Sequence, residues 1–325
     1  MKRELDIIKN VITDKDYRFL YLESKGFYKY MDDEELIRKI YRIRMGKELD
    51  LENPTTLCEK LQWLKLHDQN ELYHKLVDKY EVKKWVSNKI GAEHVIPCYG
   101  VWDSVDNIEY FKMPQKFVLK CTHDSGGIFC CDKYETNFKQ LKKKIRKHQA
   151  NSVYWNGGGR EWAYKDVEPR VLGEEYIPEL GNKDSIEYKI TCFNGRAEFV
   201  TVCKGIAHGA FSERFNDHYD RNWNKLPFYV NYKSSGETIS KPSYMDEIIE
   251  YAEILSKGIP QVRVDGYYIN GKYLFGEMTF YTWNGFMKFE PEEWDAILGE
   301  RLDLSEIAQN KIVDFVPREK KENTK

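Results

Sequence analysis

Arg263, Asp265 and Glu277 are three charges in a stretch, VRVDGYYINGKYLFGEMTF (262–280), that is otherwise strand-forming and broken once by Asn270-Gly271. Two carboxylates brought together in a low-dielectric cleft repel if both are ionised, so they need a proton, an arginine or a metal between them. Hard oxygen ligands aimed at a phosphate site suit magnesium. Whether they meet depends on register. A two-residue type I′ loop pairs 269 with 272, sets Asp265 opposite Gly276 and puts Glu277 on the other face. A type I turn followed by Gly271 in a G1 bulge shifts the register by one, so that residue 263 faces 277. Only this bulged loop gathers Val262, Val264, Leu274, Met278 and Phe280 on one face. It leaves Arg263, Asp265, Glu277 and Thr279 on the other, with the two acids as diagonal neighbours. On that reading repulsion raises at least one carboxyl pKa, and neutralising either acid leaves the fold intact. A solvent-facing sheet side with an ordinary Arg–Glu cross-strand pair is the alternative.

Two further segments carry charge beside flexible or strand-forming residues. MPQKFVLKCTHDSGGIFCC (113–131) reads as strand, glycine loop and strand. Ser125, Gly126 and Gly127 would let backbone amides approach an anion, and Lys120 would bring a point charge to the same phosphates. It is not a Walker loop, lacking GxxxxGK[ST] and the helix that should follow, and a plain hairpin turn is the competing reading. RVLGEEYIPELGNKDSIEYKITCFNG (170–195) places Glu174, Glu175, Tyr176 and Ile177 at the end of one strand and opens another with Glu187 and Lys189. Alternation puts Glu187 and Lys189 on one face, where a carboxylate can take ribose hydroxyls and an ammonium can meet phosphate. As an isolated pair they would be a surface salt bridge worth under about 1 kcal/mol.

Elements that must position these residues follow from periodicity. Residues 5–90 are helical in pattern, with Leu36, Ile40 and Ile43, then Leu57, Leu61 and Leu64, on apolar stripes. From about residue 95 short strands dominate, at 117–120, 170–177, 188–193 and 198–203, with helices at 244–257 and from Pro291-Glu292-Glu293 onward. The fold class is α+β. The 325 residues suffice for two lobes, and 41% hydrophobic and 32% charged residues with a net charge of −2 describe a soluble globular chain without polyanion-binding character. No run of about 18 apolar residues occurs, and MKRELDIIKN lacks a signal-type apolar core, so a cytoplasmic setting without membrane spans is expected. Seven cysteines without CxxC argue against a disulfide framework or zinc site, and Cys121, Cys130 and Cys131 read as small strand residues. FKQLKKKIRKH (138–148) sets Phe138, Leu141 and Ile145 on one stripe among six Lys and Arg; a solvated helix face is favoured over a nucleic-acid or membrane-surface site. His123 reads as a local hydrogen-bonding residue. Trp155, Trp162, Trp223 and Trp283, beside Gly157-Gly158-Gly159-Arg160 and Asn222, offer aromatic faces plus an arginine for a sugar acid, or simply core filling.

These segments, in this order, resemble the TupA-like ATP-grasp proteins, a family found among polysaccharide biosynthesis proteins. The likeness runs over about 53–300, through TLCEKLQWLKLHD, VDKYEVKKWV, VWDSVDNIEYFKMPQKFVLKCTHDSGG, GREWAYKDVEPRVLGEEYI, EYKITCFNG, NWNKLPF, RVDGYYINGKYLFGEMTFY and PEEWD. It implies an ATP-grasp fold, two lobes holding the nucleotide between two antiparallel sheets, after an N-terminal helical extension. The implied division is 1–75 helical region, 76–175 lobe with the glycine loop, 176–302 lobe with the magnesium site, and 303–325 tail. By the resemblance Lys120 contacts nucleotide phosphates under a glycine loop of Ser125, Gly126 and Gly127. Glu174, Glu175, Tyr176 and Ile177 form the adenine hinge, Glu187 binds ribose with Lys189 beside it, and Asp265 and Glu277 hold magnesium. Thr279 stands where many members place a metal-binding asparagine, and YTWNGF (281–286) replaces the usual glycine-rich stretch. The implied chemistry, with ATP and Mg2+, is carboxylate–amine ligation through an acylphosphate, with Arg263 and Lys120 as catalytic cations. The expected partners are an amine and a small-molecule or sugar-acid substrate, without nucleic acid and with membrane-surface association an open option. The alternatives are a kinase on the same fold or a binding protein acting through its basic helix.

Overall fold

A computed structural model of the chain describes residues 2–157, 159–182, 185–204, 214–305 and 307. The N-terminal third is helical: α1 Lys2–Thr13, α2 Lys15–Glu23, α3 Asp33–Met45, α4 Leu57–His67, α5 Leu72–Val77 and α6 Glu81–Ile90. Local chemistry sets the α4 start. Thr56 accepts from the Glu59 amide, and Glu59 returns the bond to the Thr56 amide, a reciprocal capping box. Leu57, Leu61 and Leu64 are buried on its stripe.

A four-stranded antiparallel sheet runs β1-β4-β2-β3 in space, from β1 Cys98–Trp102, β2 Lys116–Cys121, β3 Ile128–Asp132 and β4 Val171–Glu175. Helix α7 Phe138–Gln149 packs on it through buried Leu141 and Ile145. Of its basic residues, Lys142 and Arg146 pair with Asp106, at 3.1 and 2.6 Å. The second sheet runs β10-β9-β5-β6-β7, from β5 Glu187–Phe193, β6 Arg196–Lys204, β7 Phe215–Asp220, β9 Gln261–Ile269 and β10 Lys272–Thr279, all antiparallel. Helix α8 Met245–Ser256 covers one face of it, and a two-stranded pair, β8 Tyr229–Val230 with β11 Phe289–Glu290, leads to α9 Trp294–Arg301. One apolar core extends from Phe19 to Leu302, so helices α3 to α6 share it with the five-stranded sheet. A smaller core lies between α7 and the four-stranded sheet.

The β9–β10 hairpin corrects the expected turn. Ile269 pairs with Lys272, and Asn270 and Gly271 have φ of 53° and 78°, both left-handed, as a type I′ loop requires. The extra residue lies further along β10 instead: Phe275 pairs with Gly266 and Glu277 with Asp265, leaving Gly276 as the bulge. Parity therefore switches mid-strand. Tyr273 and Phe275 face the core before the bulge, Met278 after it, and half-buried Leu274 points to the charged side rather than into the core where the sequence placed it. Arg263 faces Thr279, not residue 277, and Asp265 and Glu277 are directly opposite rather than diagonal.

Contact between α4 and α9 depends on the absence of a side chain at Gly299. A Cβ there would lie 2.2 Å from the Thr55 carbonyl oxygen and 2.7 Å from the Leu57 amide, both backbone atoms that cannot swing aside. Gly299→Ala is expected to destabilise the chain by about 1–3 kcal/mol in urea unfolding. A midpoint equal to wild type would show that α9 does not seat as described.

Candidate active site

The wall contributed by the four-stranded sheet is organised by one buried acid. Glu174 and Lys120 lie on the same face of β4 and β2, because Val118 is the residue opposite Glu174. Glu174 takes Lys120 Nζ on Oε2 at 2.5 Å and Lys83 Nζ, from α6, on Oε1 at 2.6 Å. Burial alone would raise the Glu174 carboxyl, but the two ammonium groups hold it below the ordinary carboxylate range. Its carboxylate thus engages both lysines, and it lines the cleft together with its neighbours. Glu175, Tyr176 and Ile177 line the cleft beside Val118 and Leu180.

Between β2 and β3 the glycine loop folds around Asp124. The Gly127 amide donates to Asp124 Oδ1 at 2.8 Å and the Gly126 amide at 3.3 Å, while His148 Nδ1 lies 2.5 Å from Oδ2. Lys79 Nζ donates to the Asp124 carbonyl. His123 Nε2 sits within hydrogen-bond distance of the His148 and Asn151 carbonyls, a local role. Ser125 faces the cleft.

Across the cleft, the five-stranded sheet presents a single row: Glu277, Asp265, Lys189, Thr201 and His218, each opposite the next on β10, β9, β5, β6 and β7. Asp265 is 0% exposed. Arg263 grips it with Nε on Oδ1 and Nη2 on Oδ2, both 2.6 Å, and Lys189 Nζ adds a third contact at 2.6 Å. Burial would raise this carboxyl; Arg263 first and Lys189 second hold it low. The expected repulsion with Glu277 is therefore overturned, because the arginine stands between the acids, 3.8 Å from Glu277 Oε1. Neutralising Asp265 would take the shortest anionic contacts from two largely buried cations, so its substitution is expected to cost stability rather than to relieve repulsion. Lys189 also meets Glu187 at 2.8 Å, and Glu187 accepts from the Tyr267 hydroxyl at 2.9 Å. This pair is largely buried, not a surface bridge.

Magnesium in nucleotide sites is held by one or two carboxylates plus substrate phosphates, not by a protein cage. No group of three or more His, Cys, Asp or Glu that could cage a metal occurs among the described residues. Glu277 has a side chain 42% exposed toward the cleft and sits directly opposite Asp265, and the Thr279 hydroxyl lies 3.4 Å from Glu277 Oε1. Those oxygen donors fit a phosphate-bound magnesium with Glu277 as the accessible ligand.

Together the walls enclose a cleft of about 380 Å³. It is lined by Lys120, Ser125, Glu174 to Ile177, Glu187 and Glu277 from the sequence-read set, with Lys79, Lys83 and Tyr267 added by the structure, while Gly126, Gly127, Lys189, Arg263, Asp265 and Thr279 do not line it. Lys79 lies just before α6 and Lys83 on it, and only the fold brings α6 to β4. The tryptophan cluster does not assemble. Arg160 is buried, bound to Asp33 Oδ1 at 2.5 Å and to the Tyr28 and Lys29 carbonyls, and is committed to the N-terminal helices. Trp162 is core, and Trp223 stacks on Tyr219 at 4.5 Å.

The sequence pattern of the TupA-like ATPgrasp family matches residues 59–303. The chain belongs to the TupA-like ATP-grasp family. No curated protein matches it. Solved structures similar to this family member include the D-alanine–D-alanine ligase of Bacillus anthracis complexed with ATP, at 15% identity and TM-score 0.37, over 63% of this chain and 55% of that one. The corresponding ligase of Helicobacter pylori matches at 13% and 0.42, over 77% and 68%. D-cycloserine synthetase DcsG matches at 13% and 0.40, over 83% and 79%. The chain thus spans just over half of the first of these structures, and the family assignment rests on the 59–303 match.

Because buried Glu174 carries two half-buried lysines, Glu174→Gln is expected to cost about 3–5 kcal/mol of stability. Its folded pKa is depressed, so its contribution is complete above the unfolded value of about 4.3 and is lost as pH falls through the folded value. Urea unfolding across acid pH checks both points: the variant should be weaker near neutrality and should lose less on acidification than wild type.

Proposed function

We propose that the chain is an ATP-dependent carboxylate–amine ligase, joining an amine or amino acid to a sugar acid in surface-polysaccharide assembly within the cytoplasm. The observation that carries this reading is one cleft lined by Lys83 of α6 and Lys120 of the four-stranded sheet on one side and by Glu187 and Glu277 of the five-stranded sheet on the other, with Lys189 and Arg263 bound to those two acids and to Asp265 behind them. Phosphoryl transfer needs alignment and neutralisation of charge more than covalent help from the protein. A bound magnesium, held by Glu277 with Asp265 and Thr279, would supply further neutralisation of phosphate charge.

In this reading Lys120 and Lys83 take the phosphate chain, the glycine-loop amides close on it, and Glu175 to Ile177 with Glu187 seat adenine and ribose. The substrate carboxylate oxygen attacks the γ-phosphorus and expels ADP. Arg263 holds that carboxylate and then the oxyanion formed when the amine adds to the acyl carbon. The amine loses its proton and phosphate leaves, closing the amide. None of these steps needs a protein nucleophile. Burial pushes Cys192 of β5 and Cys203 of β6 up to about 12, so neither is a thiolate at neutral pH.

The testing experiment follows ADP release over uronic acids and amines. Amine-dependent release supports ligation, whereas release with acid alone indicates a kinase. Lys120→Ala should weaken ATP binding in calorimetry, and Lys142→Ala, on α7, should not. Glu277→Gln should keep the wild-type melting temperature but lose magnesium-dependent turnover, lowering kcat more than it raises KM. Asp265→Asn should lose both turnover and about 3–5 kcal/mol of stability. Full activity in Glu277→Gln would remove it from the metal site.

A further inference from the structure

Helix α7 carries five lysines and one arginine and no acid, in a chain whose net charge is −2. Two of these cations are spent internally, since Lys142 and Arg146 hold Asp106 at 3.1 and 2.6 Å. The other four, Lys139, Lys143, Lys144 and Lys147, are exposed and meet no acid within ion-pair distance among the described residues. Spacing alone favours a solvated face for this run, but the structure sets two exposed aromatic loops beside it. We propose that the outer face of α7, together with the loops at 110–113 and 133–136, docks the chain peripherally on an anionic lipid bilayer. The inference stands apart from the ligase reading and concerns a different face of the molecule.

Geometry makes the lysines one surface. Leu141 and Ile145 are buried against the four-stranded sheet, and Lys139, Lys143 and Lys147 recur every four residues on the opposite side of the helix. They form a row about 12 Å long. Like charges four residues apart on a helix repel, so the row is stabilised when an anionic surface faces it. The apolar stripe of α7 is already used on the sheet, so the helix lies on that surface rather than entering it.

Composition points to a bilayer rather than to nucleic acid. All four free cations are lysines, compact point charges suited to a fluid layer of headgroups. The one arginine of α7, the residue type whose fork reads phosphate geometry, is committed to Asp106. Apolar contact comes from the neighbouring loops. Lys133 Nζ donates to the Phe111 and Met113 carbonyls at 2.6 and 2.8 Å, which holds the two loops side by side. Their rings stay outside: Phe111 is 70% exposed and Tyr134 80%. Tyr110, next to Phe111, packs its ring on Phe138 at 4.4 Å, so the exposed pair stands at the N-terminal end of the lysine row. Lys112 is paired with Glu109 at 2.8 Å, and the attracting charge is therefore that of α7. Exposed aromatic rings beside unpaired lysines are the composition of a membrane interface, where rings enter the headgroup level and ammonium groups meet lipid phosphate.

The docked orientation leaves the cleft open. Phe117 and Leu119 face α7 and share its core, whereas Val118 and Lys120 alternate to the other side of the sheet and line the cleft. A bilayer on α7 is separated from the nucleotide site by the thickness of the sheet.

Co-sedimentation of the full chain with vesicles tests the assignment. Phosphatidylcholine vesicles containing about 30 mol% phosphatidylglycerol should retain the chain in about 0.1 M salt, pure phosphatidylcholine vesicles should not, and about 0.5 M salt should release it. Lys139→Gln, Lys143→Gln and Lys147→Gln combined should weaken partitioning about a hundredfold, near fivefold for each lysine. Phe111→Ser with Tyr134→Ser should weaken it about tenfold and leave the salt dependence as in wild type. The same charge removed by Lys257→Gln, Lys272→Gln and Lys288→Gln, all exposed on the other lobe, should leave partitioning within about twofold of wild type. Melting temperature and ATP affinity should match wild type in every variant, which separates lost docking from lost folding. No retention on the anionic vesicles, equal retention on pure phosphatidylcholine, or wild-type partitioning in either the α7 or the aromatic variant would overturn the proposal. So would a duplex DNA bound more tightly than the anionic vesicles, in favour of a nucleic-acid site. The vesicle comparison uses wild type, so the proposal stays open to refutation even where a variant unfolds.

Discussion

A carboxylate with no solvent exposure persists as an anion only if cations are locked beside it, and Asp265 is that carboxylate. Meeting the requirement fixes much of the molecule. Arg263 must be two residues away on the same strand, Lys189 must be opposite on β5, and β10 must carry its bulge at Gly276 so that Glu277 and Thr279 share their face. Removing the bulge would turn Glu277 toward the core beside Val264, an unpaired buried charge. The register of the central strands and the charge pattern of the site are thus one solution to one electrostatic problem.

The helical N-terminal region takes part in the same solution. It shares the core of the five-stranded sheet, and α4 sends Gln62 and Lys65 to the loop after β10 while α6 sends Lys83 to Glu174. Lys65 is fully enclosed, and desolvation pulls it down to about 7, partly opposed by Glu161. Three carbonyl or amide oxygens, from Gln62, Gly159 and Asn284, receive its hydrogens. A side chain so costly to bury is explained by the loop it pins: without it, Tyr281, Trp283 and Asn284, all left-handed, have little reason to stay in that conformation.

Much of this architecture was legible in the sequence because periodicity and local chemistry act over short distances. The helical stripes of α3 and α4, strands β2, β4, β5 and β6, and helices α8 and α9 all follow from residue spacing. The face shared by Arg263, Asp265, Glu277 and Thr279 was legible too, although for the wrong reason. An Asn-Gly pair is compatible with either turn, and the apolar pattern alone cannot say where along β10 the extra residue sits. Moving the bulge to Gly276 exchanges Leu274 for Tyr273 and Phe275 in the core, an exchange of equally apolar residues that hydropathy cannot detect. Lys83 and Asp124 were illegible because their roles depend on partners far along the chain, where nothing in the local pattern marks them. Trp162 and Trp223 show the opposite case: aromatic residues near glycines resembled a sugar site, and the fold packs them against the core.

The resting site is already filled with its own anions, and that shapes how it meets a phosphate. The glycine-loop amides are taken by Asp124, and Lys120 and Lys83 by Glu174. On the proposed reading, a triphosphate reaching these groups does not find bare donors; it exchanges with carboxylates fixed in the wall. Each exchange returns part of the interaction energy, so net affinity is lower than the number of cations suggests. What the arrangement provides is pre-organisation, since the lysines and amides are held near one another before any ligand arrives. Glu277 differs from these acids. Its side chain is 42% exposed, and its contacts with Arg263 at 3.8 Å and Thr279 at 3.4 Å are long. It can therefore take a cation without dismantling an internal pair, which is why the metal reading rests on Glu277 more than on its buried partner Asp265.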